Sequence, residues 1–279
     1  MMNGNPAPLP TQRGQSAKRE HTRKLQRIMG LSAVSALFTT APERVEKLYF
    51  DQKIKNAAGG FCAAMARVRK PYGLVGSDEL ERISGTPLHG GIVALAQPRP
   101  VLNFNPDEAI AWAREKQPLL WLDGVSNPHN FGAITRTAAF LGLRHIVLSD
   151  HPAQALPSDS SHRVAEGGME HVALYRSPSW IPALKTLRQS HHVIGTAAEG
   201  GQPIETLTLS DRPFALVLGN EEAGIPQKTL QACETIVTIP GSGAVQSLNV
   251  SVSAAILIYA LTTLAAADTA DLPHRRRAS

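Results

Sequence analysis

A repeated alternation of short apolar segments with helical segments constrains the fold of this 279-residue chain more than any other feature. The apolar segments are rich in Val, Ile and Leu and contain no Lys, Arg, Asp or Glu. Such runs are typical of strands that helices bury on both faces of a parallel sheet. The sequence therefore predicts an α/β fold with a parallel sheet in the second half of the chain. Strands are predicted at residues 119–122, 145–148, 193–196, 214–218 and 236–239, with intervening helices starting near Asn130, Ser179 and Pro226.

A polar loop follows the last of these predicted strands. Pro240 ends the strand because it has no N–H to donate to a neighbour, and the glycines in G-S-G at residues 241–243 let a ligand approach the backbone. The polar residues Gln246, Ser247 and Asn249 then precede an apolar helix predicted at residues 250–266. Exposed backbone N–H groups at the start of a helix suit an anion or a small polar molecule.

Two other interpretations of this loop compete with a ligand site. A dinucleotide-binding fingerprint needs a third glycine where Gln246 stands, and an acidic residue about 20 positions later; the sequence has neither. A core helix with a Ser or Asn N-cap explains the helix. It leaves the long approach of Gly, Ser, Gln and Asn residues unexplained.

Polar residues also follow two earlier strands. Residues 121–142 read W-L-D-G-V-S-N-P-H-N-F-G-A-I-T-R-T-A-A-F-L-G, in which Asn130 is predicted to cap a helix that carries Arg136. The two residues are about 1.7 helical turns apart, so they do not share one stripe of that helix. Residues 214–226 read F-A-L-V-L-G-N-E-E-A-G-I-P. Taken alone, Asn130 is interpreted as a cap and Arg136 as half of a surface ion pair.

Together, the three stretches resemble the three signatures of the SpoU (TrmH-like) family of RNA ribose methyltransferases. The first is similar to N-P-x-N-x-G-x-x-x-R-x-A, the second to G-N-E-x-x-G, and the third is I-P-G-S-G-A-V-Q-S-L-N-V-S-V-S. Between them, S-H-R-V-A-E-G-G-M-E-H-V resembles an intermediate turn of the family, and I-G-T-A-A-E-G resembles the strand-end loop beside its cofactor. Glu222 and Gly241 depart from the family pattern, which often has a small residue and a Met at these positions. The resemblance covers about residues 28–266.

The resemblance implies an α/β catalytic domain with a trefoil knot, S-adenosylmethionine as cofactor, and a homodimer whose site draws on both chains. The implied reaction is methyl transfer to a ribose 2′-hydroxyl of tRNA or rRNA. Strand ends and the polar loop are expected to hold the cofactor, through Thr196, Ala197, Leu218, Gly219, Asn220, Ile239, Pro240, Ser247 and Leu248.

The resemblance also implies five catalytic-site residues. Arg136 is expected to contact the target phosphate near the 2′-hydroxyl. The pKa of a guanidinium exceeds about 12, so it is a poor base at neutral pH. Orientation and charge stabilisation by Arg136, with deprotonation assisted by the phosphate, are therefore favoured over a competing hypothesis in which Arg136 is the general base. Asn130, Glu221, Ser247 and Asn249 are expected to shape the pocket and to position Arg136 and the methyl donor.

Composition restricts the class of protein. A hydrophobic content of 43% with 18% charged residues is typical of a globular chain. Cys62 and Cys233 suggest neither a disulfide framework nor a metal cluster, which favours the reducing cytoplasm.

Neither a membrane nor a metal is expected as a partner. The N-terminus lacks the apolar region of a secretory signal, and the longest apolar run is shorter than the roughly 20 residues of a membrane span. The histidines lack the spacing of metal ligands and are interpreted as surface or packing residues, with no metal: His162, His171, His191 and His192.

Five regions are predicted. Residues 1–27 form a disordered basic tail, and residues 268–279 form a second one that contains three consecutive arginines. Residues 28–97 make a small α/β domain that resembles the ribosomal-protein-like substrate-binding domain of SpoU proteins. A helix is predicted at about residues 25–38, and Ser77 is predicted to be the N-cap of a later helix. Residues 98–117 are a linker that contains a helical segment at about residues 107–116, and residues 118–267 are the methyltransferase domain. The net charge of +5, concentrated in the tails, favours a polyanionic partner such as structured RNA.

Other functions remain open from the sequence. A catalytically inactive RNA-binding or ribosome-assembly factor could keep the same fold, but it would not need Asn130, Arg136, Glu221, Ser247 and Asn249, which are all present. A knotted methyltransferase that acts on a base nitrogen would carry different loop signatures. The sequence does not specify the RNA or the nucleotide.

Overall fold

A computed structural model of the chain describes residues 25–268, except for the side chains of residues 267 and 268. The two predicted basic tails therefore lie almost entirely outside the described residues. Two sheets organise this part of the chain, one of four strands and one of eight.

The four-stranded sheet is formed by the first 70 or so described residues, with strand order β1-β4-β2-β3. Strand β4 runs antiparallel to both β1 and β2, whereas β2 and β3 are parallel. Helices α1 and α2 pack on one face of this sheet, around Val34, Leu48 and Met65, and α3 packs on the other through Leu80. The elements are β1 (Gln26–Met29), α1 (Leu31–Thr40), β2 (Val45–Phe50), α2 (Gly59–Arg67), β3 (Tyr72–Leu74), α3 (Ser77–Ser84) and β4 (Ile92–Ala96).

The beginning of this region differs from the prediction of a continuous helix. Gln26 to Met29 form a strand paired with β4, and α1 begins only after Gly30, whose φ of 87° a helix cannot accommodate. The structured region thus includes Gln26 and Arg27, which were predicted to belong to the tail. A smaller correction concerns α3: Gly76, and not Ser77, occupies its N-cap position.

The eight-stranded sheet has the order β10-β12-β9-β11-β6-β7-β8-β5, and all of its neighbouring strands are parallel. The central strands are buried along their whole length, as the continuous apolar runs predict. Its strands are β5 (Leu102–Asn103), β6 (Leu119–Asp123), β7 (His145–Ser149), β8 (Ala173–Ser177), β9 (His192–Thr196), β10 (Gln202–Pro203), β11 (Phe214–Gly219) and β12 (Thr235–Thr238).

Helices cover both faces of this sheet. On one face, α5 and α9 pack around Phe131, Ile134 and Leu257, and on the other α4, α7 and α8 pack near Trp121 and Trp180. The helices are α4 (Pro106–Arg114), α5 (Pro128–Phe140), α6 (Asp159–Ala165), α7 (Trp180–Leu187), α8 (Gln227–Leu230) and α9 (Val250–Asp268).

Residues 98–117, predicted as a linker, are instead part of the large α/β layer. Leu102 and Asn103 form the edge strand β5, which pairs with β8, and α4 adds Ala109 to the buried core. The helical segment predicted at about residues 107–116 corresponds to α4, whereas a two-residue strand such as β5 carries too little periodicity to be recognised in a segment rich in proline.

A buried carboxylate joins the two sheets. Glu170, whose side chain is 1% exposed, accepts hydrogen bonds from Arg44 at 2.6 Å and from Arg99 at 3.0 Å. Arg44 follows α1, whereas Glu170 lies in a short 3₁₀ turn (Gly168–His171) between α6 and β8. A second link runs from Arg27 on β1 to Asp159 at the start of α6, at 3.0 Å. These ion pairs fix the small sheet against the large one.

Candidate active site

Three neighbouring strand ends form one edge of the large sheet. Strands β12, β9 and β11 are adjacent and parallel, so their carboxyl ends lie side by side. In open parallel sheets, ligands bind at this edge. At this edge Thr196 donates a hydrogen bond to the carbonyl of Val217 at 3.2 Å, and the Ala197 N–H donates to the carbonyl of Val237 at 3.0 Å. The predicted cofactor residues at this edge are Thr196, Ala197, Leu218, Gly219, Asn220, Ile239 and Pro240.

The polar loop lies beside this edge. Residues 241–249 are all exposed, including the predicted site residues Ser247 and Leu248, and burial resumes at Val250 where α9 begins. Asn249 caps α9, because its side-chain oxygen accepts the N–H of Ser251 at 2.8 Å. The nitrogen of the same side chain donates to the Asn130 side-chain oxygen at 3.1 Å. The Asn249 side chain therefore caps α9 with its oxygen and contacts the start of α5 with its nitrogen.

Glu221 links the first and second signature segments. One oxygen of its carboxylate accepts the Asn130 side-chain amide at 2.9 Å and the Asn127 N–H at 3.2 Å. The other accepts the N–H and hydroxyl of Ser126, at 3.2 and 3.1 Å, and the side-chain amide of Asn220 at 3.3 Å. Both oxygens are thus engaged by donors.

These donors decide the charge of Glu221. Burial alone would raise the pKa of its carboxyl, but the hydrogen bonds from Asn130 and from the backbone of Ser126 and Asn127 outweigh burial and hold the pKa below its ordinary value. Glu221 is therefore a charged carboxylate at neutral pH.

The start of α5 differs in detail from the prediction. Asn127, and not Asn130, is the N-cap, since its side chain accepts the His129 N–H at 2.8 Å and Pro128 occupies the first helical position. Asn130 lies in the first turn, so its amide is free to bond Glu221 and Asn249. Ser126 and Asn127 were not singled out from the sequence; the signal that could have found the cap is Pro128, which favours the first position of a helix.

Close backbone packing shapes the turn after β11. Asn220 and Gly224 exchange two backbone hydrogen bonds of 3.0 Å, which bring the turn back onto Gly219. A Cβ at Gly219 would lie only 2.4 Å from the carbonyl group of Gly224. The first glycine of G-N-E-x-x-G is therefore required by this contact. The Asn220 side chain secures the turn, donating to the carbonyl of Gly124 at 2.8 Å and accepting the Glu222 N–H at 3.0 Å.

A polar cavity of about 290 Å³ opens at the junction of these segments. Three of the five predicted catalytic residues line it, together with residues of the two turns. The lining residues are Ser126, Asn127, Asn130, Asn220, Glu221, Glu222 and Asn249.

Arg136 lies apart from this network. Its guanidinium pairs with Glu166, just after α6, at 2.9 Å, and it does not line the cavity. Both side chains are about half exposed, at 55% and 53%. The structure therefore brings together Asn130, Glu221 and Asn249, and it places Arg136 beside a different carboxylate.

Among the described histidines, His162, His191 and His192 are buried packing residues, whereas His171 is exposed. No group of three or more His, Cys, Asp or Glu residues between residues 25 and 268 is arranged to hold a metal ion. None of the helices in this part of the chain has the length and hydropathy needed to cross a membrane.

Comparisons with known proteins agree with this arrangement. The SpoU rRNA methylase family profile matches residues 117–259, and the profile for RNA 2′-O ribose methyltransferase substrate binding matches residues 27–102. The 23S rRNA (guanosine-2′-O-)-methyltransferase RlmB of Acinetobacter baylyi is 33% identical over 238 residues, covering 82% of this chain and 94% of the relative. An uncharacterized tRNA/rRNA methyltransferase of Escherichia coli O157:H7, YfiF, is 33% identical over 83% of this chain and 66% of its own length.

Solved structures share the fold. The SpoU methyltransferase AviRb from Streptomyces viridochromogenes, in complex with the cofactor AdoMet, aligns with a TM-score of 0.70 at 22% identity, over 90% of this chain and 95% of that one. A putative TrmH-family RNA methyltransferase from Porphyromonas gingivalis aligns with a TM-score of 0.64 at 25% identity, over 85% of this chain and 89% of that one. The chain belongs to the SpoU family of S-adenosylmethionine-dependent RNA 2′-O-ribose methyltransferases.

Proposed function

We propose that the chain transfers a methyl group from S-adenosylmethionine to a ribose 2′-hydroxyl of ribosomal RNA. The observation that carries this proposal is the hydrogen-bonded series Asn249–Asn130–Glu221, which joins all three signature segments at the carboxyl edge of the sheet. Ribosomal RNA is favoured over tRNA because several relatives of about 31–33% identity are named as 23S rRNA methyltransferases. The unpaired Cys62 and Cys233 suit a reducing, cytoplasmic compartment.

The residues at the sheet edge fit the cofactor. Three adjacent strand ends and an exposed loop offer backbone N–H donors and C=O acceptors. An adenosine carries hydrogen-bond donors and acceptors that both kinds of group can bind. When bound, S-adenosylmethionine supplies an electrophilic methyl group on its sulfonium. Adenine and ribose would be held at the ends of β9, β11 and β12 and by the loop, through Thr196, Ala197, Leu218, Gly219, Asn220, Ile239, Pro240, Ser247 and Leu248.

The side chains divide the remaining tasks. Glu221 is a poor candidate for the base, because donors engage both of its oxygens; it organises the two turns around the cavity. Asn130 and Asn249 present amide groups to the cavity in fixed orientations. Arg136 would bind the target phosphate and stabilise the alkoxide that develops on the 2′-oxygen, since a guanidinium remains protonated at neutral pH.

The proposal assigns RNA binding to the region of the small sheet and methyl transfer to the region of the large sheet. Residues 28–97 would bind the RNA, and residues 118–267 would carry out methyl transfer. The proposal includes a trefoil knot in the second region, as the resemblance to the family implies. An experimental structure that traces residues 214–268 tests the knot.

A homodimer is also part of this proposal. Val252, Ile256 and Tyr259 lie on one face of α9 at helical spacing and are exposed although apolar. Phe140, at the end of the adjacent α5, is 82% exposed. Exposed apolar stripes of this kind mark interaction surfaces. The stripe begins one turn after Asn249, so a partner seated on it would adjoin the cavity.

Calorimetric titration with S-adenosylmethionine, followed by methyl transfer to rRNA and tRNA, tests the function. We expect micromolar binding that Asn249→Ala weakens at least tenfold. Asn105→Ala is the matched control: Asn105 caps α4 on the other face of the sheet, so this variant also loses a cap but should bind the cofactor normally.

Arg136→Ala should abolish turnover and keep cofactor binding. Arg114→Ala is its control, because Arg114 is exposed on α4. A protein that does not bind millimolar cofactor would instead be an RNA-binding factor.

A further inference from the structure

Arg136 and Glu166 form a contact that the reaction scheme does not use. The guanidinium and the carboxylate are 2.9 Å apart, and both side chains are about half exposed. An exposed ion pair of this kind adds little to stability. Its position is nevertheless specific, because Arg136 is the residue assigned to the RNA phosphate.

The backbone holds Glu166 at this position. Glu166 has a φ of 45° and a ψ of 44°, in the left-handed region that non-glycine residues rarely adopt. Two residues later, Gly168 packs so closely on α5 that a Cβ there would lie 2.9 Å from the Cα of Arg136. The segment after α6 is therefore pressed against the turn of α5 that carries Arg136. Glu166 is the C-cap of α6, where a left-handed residue commonly ends a helix, so the end of α6 fixes the position from which its side chain reaches Arg136.

We propose that Glu166 occupies the RNA-phosphate position on Arg136 and is displaced when the target strand binds. This inference rests on the proposed function. Carboxylate and phosphate are the two oxyanions that a guanidinium binds with the same fork of N–H groups. The pair is exposed, so exchanging one oxyanion for the other costs little. Because Arg136 does not line the cavity while it is paired, release from Glu166 is needed for it to face the ribose.

The displaced carboxylate acts as an internal competitor of RNA. Removing it should strengthen RNA binding by about twofold to fivefold, the range that corresponds to breaking an exposed ion pair. The gain should require Arg136. A residue that merely positions Arg136 would behave differently, since its loss would lower kcat and leave RNA affinity unchanged.

A double-mutant cycle tests this proposal. Filter binding of a radiolabelled 23S rRNA transcript is measured, at fixed ionic strength, with the wild type, Glu166→Gln, Arg136→Ala and the double variant. We expect tighter binding for Glu166→Gln and no such gain when Arg136 is absent. Glu108→Gln is the charge-matched control, because Glu108 is exposed on α4 on the opposite face of the sheet. Glu166→Gly, which also removes the backbone strain, should tighten binding to the same extent.

Three results would overturn the proposal: unchanged or weaker binding in Glu166→Gln, a gain equal to that of Glu108→Gln, or a gain that persists without Arg136. A tenfold loss of kcat at unchanged affinity would also overturn it and make Glu166 a positioning residue. Failure of the proposed function has a separate readout, which is the absence of methyl transfer to rRNA by the wild type. The binding cycle can be measured in either case.

Discussion

At the scale of single residues, the Glu221 carboxylate accepts five hydrogen bonds from four residues that line the cavity. Replacing it by Gln would turn an amide group toward the donors of Ser126, Asn127 or Asn130, and would leave at least one of them without an acceptor. We expect Glu221→Gln to lower the free energy of unfolding by about 1–3 kcal/mol and to weaken cofactor binding. Urea denaturation and calorimetry measure the two effects.

The adjacent Glu222 provides the control for this substitution. Its side chain is exposed and also lines the cavity, so Glu222→Gln removes the same charge from the same site. We expect its unfolding free energy to stay within about 0.5 kcal/mol of the wild type. Equal effects of the two substitutions would show that local charge, and not the hydrogen bonds of Glu221, governs the site.

The site residues were predictable to different degrees. The resemblance of the signatures to the family implied that Asn130, Glu221 and Asn249 share a site, and the structure joins their side chains in one hydrogen-bonded series. They did not predict the partner of Arg136. Glu166 is far away in sequence and meets Arg136 only after α6 has packed on α5, which depends on tertiary structure.

At the scale of elements, the turn after β11 depends on the absence of a side chain at Gly219. A Cβ there would lie 2.4 Å from backbone atoms of Gly224, and backbone cannot move aside as a flexible side chain can. We expect Gly219→Ala to cost about 1–3 kcal/mol of stability, the usual effect of overpacking, and to abolish cofactor binding. Gly60→Ala in α2 is the control, since a Cβ there meets no atom within 4 Å. Thermal melting with and without cofactor distinguishes the two; a Gly219→Ala protein that binds normally would contradict the packing argument.

The same scale shows which elements a sequence can predict. The central strands of the large sheet were recognised because burial on both faces requires an uninterrupted apolar run. Strand β1 was mistaken for a helix, since only its last two residues, Ile28 and Met29, are buried and four residues do not define a period. Strands β5 and β10 have two residues each and exist only through pairing with β8 and β12.

At the scale of the whole molecule, buried histidines make stability depend on pH. Burial lowers the pKa of His162 to about 3 and the pKa values of His145 and His191 to about 4. In the unfolded chain the same groups titrate near 6.5. Between about pH 6.5 and 4 the unfolded state therefore binds protons that the folded state does not, and stability falls as the pH is lowered.

Each such histidine can lower the unfolding free energy by up to about 1.4 kcal/mol per pH unit in this range. We expect urea denaturation to show this loss between pH 6.5 and 4. The slope should decrease by up to one proton in His162→Gln, because this variant lacks the buried imidazole that only the unfolded chain protonates. An equal slope in His162→Gln and the wild type would mean that His162 is protonated in the folded state.

Dimerisation is also tested at this scale. Tyr259→Arg places a charge in the middle of the apolar stripe of α9, and we expect it to weaken the dimer at least about 30-fold. Light scattering across a concentration series measures the change. Ile110→Arg, which alters an exposed apolar residue of α4, should leave the assembly intact. A wild type that remains monomeric at high concentration would refute the dimer.

The buried Glu170 has a consequence for how the enzyme selects a nucleotide. Its ion pairs with Arg44 and Arg99, together with the Arg27–Asp159 pair, connect the small sheet to the large one at two places. In this arrangement, these contacts set the distance between the small sheet and the cavity. If the small sheet binds RNA as proposed, the nucleotide that reaches the cavity is the one that lies at this distance from the bound segment, so the enzyme would select its target by position along the folded RNA.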